Sequence, residues 1–193
     1  MARTESTMLE LGSLAPDFNL PEPLTGENRT LNELKGNKGT LVVFMCNHCP
    51  YVLHILPTFV QMATAYQSRD INVVAISSND IVNYGDDSPE NMAALTKEYN
   101  VEFPYLYDES QMVAKAYQAA CTPDFYLFDD ALKLVYRGQF DGSRPGNDIA
   151  VSGEDLSAAV TALAEGRSIS AEQVPSLGCN VKWKAGNEPE YFS

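Results

Sequence analysis

Positive charge is scarce in this chain. Its 193 residues include 13 Lys and Arg against 26 Asp and Glu, and the formal net charge is −13. The basic residues are not gathered into a run. A surface with this balance repels nucleic acid and anionic membranes, so we expect neither of them as a partner.

Long apolar runs and leader-like segments are missing as well. Residues 1–25 hold no basic segment followed by an apolar run, and no stretch approaches the ~20 apolar residues that span a bilayer. We therefore expect a cytoplasmic protein. The sequence contains no internal repeat, low-complexity tract or linker. Residues 1–193 are predicted to form one domain, with a core of about residues 8–168 and a C-terminal tail of residues 169–193.

Cysteine is rare, with four in the chain. So few thiols do not form a disulfide framework, and a Cys-x-x-Cys pair in a reducing compartment is catalytic or metal-binding. Cys46 and Cys49 form such a pair, between the apolar run Leu41–Met45 and a helical pattern over residues 50–67. The N–H groups and dipole of a helix N-terminus favour a thiolate at Cys46. We expect Cys46 to be the more exposed sulfur, in the first helical turn, and to attack disulfides, while Cys49 displaces what Cys46 has captured.

Strand and helix patterns alternate along the chain. The continuous apolar runs Leu41–Met45 and Ile71–Ser77 are typical of central strands that are covered on both faces. Alternation that ends in a hairpin and a helix predicts a mixed α/β sheet with helices on both faces. The other predicted elements are helices over residues 50–67, 91–99 with Ser88 as cap, 109–119 and 154–165, a strand over 103–107, and hairpin strands over 125–128 and 132–140.

These motifs resemble the thioredoxin fold. A strand, a Cys-x-x-Cys pair and a helix, followed by Thr122-Pro123 just before a hairpin strand, imply a cis Thr122-Pro123 bond that lies against the redox pair. Residues 12–18 and the Cys49-Pro50 step resemble the peroxiredoxin branch, and residues 175–184 are similar to a peroxiredoxin-like, AhpC/TSA-related subgroup with Cys-x-x-Cys. The resemblance covers about residues 8–190. It implies a central mixed β-sheet flanked by helices, with an N-terminal extension and an irregular C-terminal tail.

The chain also departs from the peroxiredoxin pattern. Those proteins place Thr or Ser three residues before the cysteine that attacks peroxide, and Arg near the start of a later strand. Here Cys49 takes the place of the attacking cysteine, Cys46 replaces the hydroxyl residue and Pro123 occupies the Arg position. Without these groups we expect slow reaction with peroxide. Asn47-His48 resembles the Pro-His of bacterial oxidising disulfide enzymes, which implies that His48 stabilises a thiolate.

The other two cysteines each have a structural and a functional interpretation. Cys121, two residues before Pro123, is either a buried core thiol or a third redox sulfur. We expect it to lie near Cys46 and Cys49 without a bond to either. Cys179 lies in the tail, where packing is favoured over a role as a second resolving thiol.

Two loops are candidates for substrate binding. The strand before the Cys-x-x-Cys pair and the next strand end at one edge of the sheet, where ligands bind open α/β sheets. Asn79 and Asp80 follow the second of these strands, and Asp141 and Arg144 follow the hairpin. We predict that these residues either bind and orient substrate or cap their own loops.

The leading functional interpretation is a thiol–disulfide oxidoreductase that uses Cys46 and Cys49. Its partners would be protein or small-molecule thiols and disulfides and a reducing system, and we expect no cofactor. An alternative is a thiol peroxidase or antioxidant protein in which Cys49 attacks peroxide and Cys46 or Cys121 resolves. A third is a metal-binding module, because the thiolates of Cys46, Cys49 and Cys121 with the imidazole of His48 suit copper(I) or zinc. The Thr-Pro motif argues against this last alternative, and the oligomeric state stays open.

Overall fold

Strands and helices alternate through most of the protein. The computed structural model describes residues 3–192, and Met1, Ala2 and Ser193 lie outside the described residues. In chain order the elements are β1 (Arg3–Glu5), β2 (Asn19–Pro21), β3 (Asn28–Thr30), α1 (Leu31–Leu34), β4 (Gly39–Phe44), α2 (Pro50–Gln67), β5 (Ile71–Ser77), a 3-10 turn (Gly85–Asp87), α3 (Pro89–Glu98), β6 (Tyr105–Tyr107), α4 (Met112–Ala116), β7 (Cys121–Thr122), β8 (Asp124–Asp129), β9 (Leu134–Tyr136), α5 (Glu154–Ala164) and β10 (Leu177–Asn180).

A mixed sheet of five strands forms the centre of the described chain, in the order β6-β5-β4-β8-β9. β4, β5 and β6 are parallel, whereas β8 runs antiparallel to β4 and β9 runs antiparallel to β8. The prediction of two central strands before and after the first long helix is confirmed. Because β4 is the middle strand, the turn after β4 lies at the centre of the edge where the parallel strands end.

Two hydrophobic clusters cover the two faces of this sheet. Leu41 and Val43 of β4 pack with α2, α3 and α5, whereas Val42 and Phe44 pack with α1 and α4. Neighbouring strand residues point to opposite faces, so an apolar run without alternation is buried on both. None of the helices within residues 3–192 combines the length and apolar character that crossing a bilayer requires.

Several element boundaries differ from those predicted. Ser88 caps α3 as expected, since its side chain accepts a hydrogen bond from the Asn91 N–H. The helix predicted over residues 109–119 is shorter, because Gln111 and Gln118 adopt left-handed backbone conformations on either side of α4. The second hairpin strand is also shorter, and a register shift between Leu127 and Phe128 interrupts its pairing.

The tail is not irregular throughout, which corrects the prediction for residues 169–193. β10 lies between β1 and β7 in an antiparallel sheet. Gly178 allows this approach, because a Cβ at that position would lie 1.9 Å from the Thr122 carbonyl oxygen. Val181 and Trp183 follow β10 and join the hydrophobic cluster on the α1 and α4 face. The tail is thus fastened to the strand that carries Thr122.

Gly178→Ala should lower the free energy of unfolding by about 1–3 kcal/mol, because the new methyl group displaces β10 from Thr122. Denaturant unfolding followed by circular dichroism measures the change. Gly85→Ala is the matched control, since nothing lies within 4 Å of a Cβ built there. Equal stability of the two variants would contradict a close approach of β10 to Thr122.

Candidate active site

Cys46 and Cys49 lie in the turn between β4 and α2. The helix begins at Pro50, and Cys49 is its N-cap residue. Proline suits the first helical position, because the N–H it lacks is not needed there and its φ is already helical. The prediction that Cys46 lies in the first helical turn is therefore wrong, since Pro50 starts the helix after both cysteines.

Both cysteines are buried. Cys46 is 1% exposed and Cys49 is 0% exposed, so Cys46 lacks the accessible surface that was predicted for it. His48, between them, stacks on Tyr84 with ring centroids 5.6 Å apart. The Nζ atom of Lys182 lies 5.7 Å from the centroid of the Tyr84 ring. The structure thus shows Cys46 and Cys49 enclosed by their neighbours.

Thr122 lies against both cysteines. Its peptide bond to Pro123 is cis, as predicted. The Cys49 thiol donates to the Thr122 carbonyl oxygen over 3.2 Å, and the Thr122 hydroxyl oxygen lies 3.5 Å from Cys46 Sγ. The expectation that the Thr-Pro step faces the cysteine pair is confirmed.

A third sulfur reaches the pair from the tail. Cys179 is the ladder partner of Thr122 between β10 and β7. Residues paired in this way point to the same face of the sheet, so Cys179 faces the site as Thr122 does. Its thiol is close enough to Cys49 for each to shift the pKa of the other. Packing alone, which the sequence favoured for Cys179, is an incomplete description.

Cys49 interacts with both of the other sulfurs. Hydrogen bonds from Cys179 and Cys46 lower the pKa of Cys49 well below its usual range. The same bond to Cys49, together with burial, raises the pKa of Cys46. The Thr122 carbonyl opposes ionisation of Cys49, because it accepts only from the neutral thiol. The expectation of a thiolate at Cys46 therefore stays a prediction.

A buried carboxylate holds the other side of the turn. Asp87 is 0% exposed, and a buried charge without partners is costly. Its oxygens accept hydrogen bonds from the backbone N–H groups of Asn47 at 2.8 Å and His48 at 3.3 Å. They also accept from the His48 ring at 2.7 Å and from the Asn79 side chain at 2.8 Å. Asp87 thus fixes both the backbone and the imidazole between the two cysteines.

The carboxylate favours a protonated His48. The hydrogen bond to Asp87 raises the pKa of His48, against the opposing effect of burial. Burial alone would raise the pKa of Asp87, but the bonds from His48 and Asn79 outweigh it and hold that pKa below its usual value. The second ring nitrogen, Nε2, is buried and has no hydrogen-bond partner among residues 3–192.

Cys46, His48 and Asp87 present ligand atoms within 4.8 Å of one another. The metal-binding alternative expected ligands from Cys46, His48, Cys49 and Cys121. In the structure, Asp87 joins Cys46 and His48, and Cys49 and Cys121 are not part of the group. The Asp87 oxygens already accept four hydrogen bonds from the protein. The arrangement favours an imidazole positioned beside Cys46 over a metal centre.

Cys121 faces away from the three sulfurs. Neighbouring strand residues point to opposite faces, and Thr122 takes the face toward the cysteine pair. The Cys121 sulfur lies 3.7 Å from the carbonyl oxygen of Pro123 and 3.9 Å from that of Ser176. It is buried and unbonded, as expected. Burial raises the pKa of Cys121 and keeps its thiol neutral.

The residues predicted to contact substrate are engaged in hydrogen bonds within the protein. Asn79 connects Asp87 to the tail, because its Oδ1 accepts from the Lys182 N–H at 2.8 Å. Asp80 accepts from its own turn, and Asp141 and Arg144 bond within their own loop. Their partners are Val82 and Asn83 for Asp80, Ser143, Ser152 and Gly153 for Asp141, and Gln139, Asp141 and Ser143 for Arg144. These contacts fit the loop-capping interpretation, and substrate binding stays a prediction.

Sequence reasoning did not assign Asp87 or Cys179 to the site. Asp87 precedes the Ser-Pro start of α3, a pattern typical of helix capping, and nothing in its spacing connects it with His48. Cys179 had a signal in Gly178, since glycine in a strand marks close approach of another backbone. The signal indicates contact but does not say with which segment.

Comparisons with known proteins agree with this geometry. Residues 11–137 match the model of the AhpC/TSA family. The thiol-disulfide oxidoreductase ResA of Geobacillus thermodenitrificans (strain NG80-2) is 28% identical over 126 residues, which are 65% of this chain and 67% of that protein.

Solved structures show the same fold. An uncharacterized conserved protein from Geobacillus kaustophilus is 50% identical, with a TM-score of 0.93 over 95% of this chain and 97% of its own. A thiol:disulfide interchange protein of the thioredoxin family from Chlorobium tepidum TLS is 19% identical, with a TM-score of 0.61 over 80% of this chain and 98% of its own. The chain therefore has a thioredoxin-like fold and belongs to the AhpC/TSA family.

Proposed function

We propose that the protein is a thiol–disulfide oxidoreductase that works through Cys46 and Cys49. The observation that carries this function is the pair of sulfurs at the start of α2, with Thr122 in contact with both. The relative from Geobacillus thermodenitrificans bears the name of the same activity. The substrates in this proposal are disulfides of proteins or small molecules, and a dithiol reductant restores the pair.

The first step opens the substrate disulfide. The proton that Cys46 shares with Cys49 moves onto Cys49, and the charge on Cys46 is then stabilised by the imidazolium of His48. Cys46 Sγ attacks one substrate sulfur, the substrate S–S bond breaks and a mixed disulfide forms. The departing thiolate takes a proton, for which Nε2 of His48 is the donor.

The second step closes the pair. Cys49 gives its proton to solvent and attacks Cys46 Sγ, which breaks the mixed disulfide and releases the second substrate thiolate to be protonated. The Cys46–Cys49 disulfide now holds the oxidation that the substrate carried, so two electrons have moved from the pair to the substrate. A dithiol of the reducing system reverses the change.

Asp87 is the positioning residue of this mechanism. It does not touch the reacting sulfurs through a hydrogen bond, but it holds the His48 ring at 2.7 Å and the Asn47 N–H at 2.8 Å. A carboxylate that orients an imidazole also stabilises its charged form. The function of His48 at a given pH therefore depends on Asp87.

The surroundings of the pair support two further parts of the proposal. Asp141 and Arg144 line a recess together with Pro123, which supports contact between their loop and a substrate bound at the Thr-Pro step. The four cysteines are all free thiols, which suits a reducing compartment such as the cytoplasm. That location remains a prediction.

Thiol peroxidase activity is the second candidate, and the lowered pKa of Cys49 favours it. Cys49 is the N-cap of α2 and has a lowered pKa, as a sulfur that attacks peroxide requires. Cys46 and Pro123 nevertheless occupy the positions of the two peroxide-activating residues. A thiolate at Cys49 without those hydrogen-bond donors does not polarise the O–O bond of a peroxide.

Cys46→Ser should reduce the rate of disulfide exchange by more than about 10³-fold, because no thiolate is left to form the mixed disulfide. Cys49→Ser should form the mixed disulfide with Cys46 and stop there. Release of thiol from a small disulfide, followed by mass spectrometry of the protein, distinguishes the two variants. Cys121→Ser is the control and should exchange like the wild type. Full activity of Cys46→Ser with loss in Cys49→Ser would favour the peroxidase instead.

Hydrogen peroxide should oxidise Cys49 much more slowly than a small disulfide oxidises the pair. Stopped-flow measurements of thiol loss at equal oxidant concentrations provide the comparison. The physical reason is that Cys46 and Pro123 stand where a peroxidase has its hydrogen-bond donors. A peroxide reaction as fast as the disulfide reaction would contradict the proposed function.

Asp87→Asn should lower the pKa of His48, because an amide stabilises the imidazolium less than a carboxylate does. Because the pKa of His48 is raised, the contact between protonated His48 and Asp87 contributes fully to stability below the ordinary histidine pKa of about 6.5. This contribution to stability is lost as the pH rises through the pKa of His48 in the folded protein. The alkaline limit of disulfide exchange should therefore move to lower pH in the variant. NMR titration of the His48 ring and the pH profile of exchange measure the two effects.

Asp86→Asn is the matched control for this experiment. Asp86 is the exposed neighbour of Asp87, and its carboxylate does not accept a hydrogen bond from His48. Its removal changes the net charge equally without touching the hydrogen bond at 2.7 Å. Equal shifts in both variants would show that net charge, and not the His48–Asp87 contact, sets the profile.

A further inference from the structure

Cys179 is the one sulfur at the site that the proposed mechanism does not use. It is 3% exposed and belongs to the same buried cluster as Cys46 and Cys49. Cys121 belongs to neither of the two hydrophobic clusters. The chain therefore places three of its four cysteines in one environment, although Cys179 lies far from the pair in the sequence.

Backbone geometry, rather than a flexible side chain, brings Cys179 to the pair. The register pairs it with Thr122, whose carbonyl oxygen is 3.2 Å from Cys49 Sγ. The neighbouring Gly178 lets β10 approach so closely that no other residue fits there without displacement. α2, whose N-cap residue is Cys49, is itself in contact with β10. Strand pairing thus fixes the position of the third sulfur beside the second.

We propose that Cys179 is a third redox thiol, which takes over the disulfide from Cys46 by forming a Cys49–Cys179 bond. The inference rests on the proposed function, since the Cys46–Cys49 disulfide is its starting point. The thiolate of Cys179 attacks Cys49 Sγ, the Cys46–Cys49 bond breaks, and Cys46 leaves as a thiolate that takes the proton lost by Cys179. One disulfide is exchanged for another, so the step needs no external oxidant or reductant.

Cys49 is the sulfur that neighbours both of the others. Cys46 precedes it by three residues, and Thr122, the ladder partner of Cys179, accepts its hydrogen bond. A disulfide needs an S–S distance of about 2.05 Å, so β10 and the start of α2 must draw together. The two elements that must move, β10 and α2, are already in contact.

The exchange has two results for the protein. Cys46 becomes a free thiol again while the oxidation is kept on two buried sulfurs. At the same time, the tail strand becomes covalently attached to the N-cap of α2. The C-terminal tail is in this way a part of the redox centre and not only a cover for the fold.

The test starts from the reduced wild-type protein and a substoichiometric amount of dithiodipyridine. Release of about two pyridinethione molecules per probe shows that an intramolecular disulfide has formed. After incubation at neutral pH, acid quenching, unfolding and labelling with N-ethylmaleimide are followed by peptide mapping without reduction. We expect a Cys49–Cys179 linked peptide together with labelled Cys46.

The controls assign the bond and separate the two proposals. In Cys179→Ser the disulfide should remain between Cys46 and Cys49, and Cys121→Ser should behave like the wild type. A wild-type protein that holds only the Cys46–Cys49 disulfide, with label on Cys179, overturns the inference and leaves the proposed function standing. Release of about one pyridinethione per probe, without any internal disulfide, would instead contradict the proposed function.

Discussion

The site depends on one buried charge. The Asp87 carboxylate has no solvent to stabilise it, and the protein supplies hydrogen-bond donors from the Cys-x-x-Cys turn and from Asn79. Each donor that satisfies the charge is also a constraint on the turn. The conformation between the cysteines, the orientation of His48 and the contact of Asn79 with the tail therefore have a common electrostatic cause.

Thr122 positions the sulfurs, as Asp87 positions the turn between them. One residue offers a carbonyl oxygen to Cys49, a hydroxyl group to Cys46 and a ladder position to Cys179. The geometry of all three sulfurs is set by a strand of two residues that the tail holds from the other side. Packing of the tail and chemistry of the pair are consequently not separate properties of this fold.

The sequence allowed prediction of those features that are encoded locally. The apolar run of β4, the proline at the start of α2 and the Thr122-Pro123 step are short-range signals, and they located the pair and its neighbour correctly. The partners of His48 and Cys49 come from distant segments, and only the folded chain shows that Asp87 and Cys179 supply them. The exposure of Cys46 was predicted wrongly for a related reason, because segments distant in sequence, such as the strand that carries Thr122, lie against Cys46.

The pairing of β1 with β10 connects distant parts of the chain at the site. The strand Arg3–Glu5 pairs with the tail strand, and the tail strand pairs with Cys121–Thr122 on its opposite edge. Two antiparallel ladders therefore connect residues 3–5 to the carbonyl group that contacts Cys49. A substitution that loosens either ladder changes the surroundings of the cysteine pair without altering a residue of the pair itself.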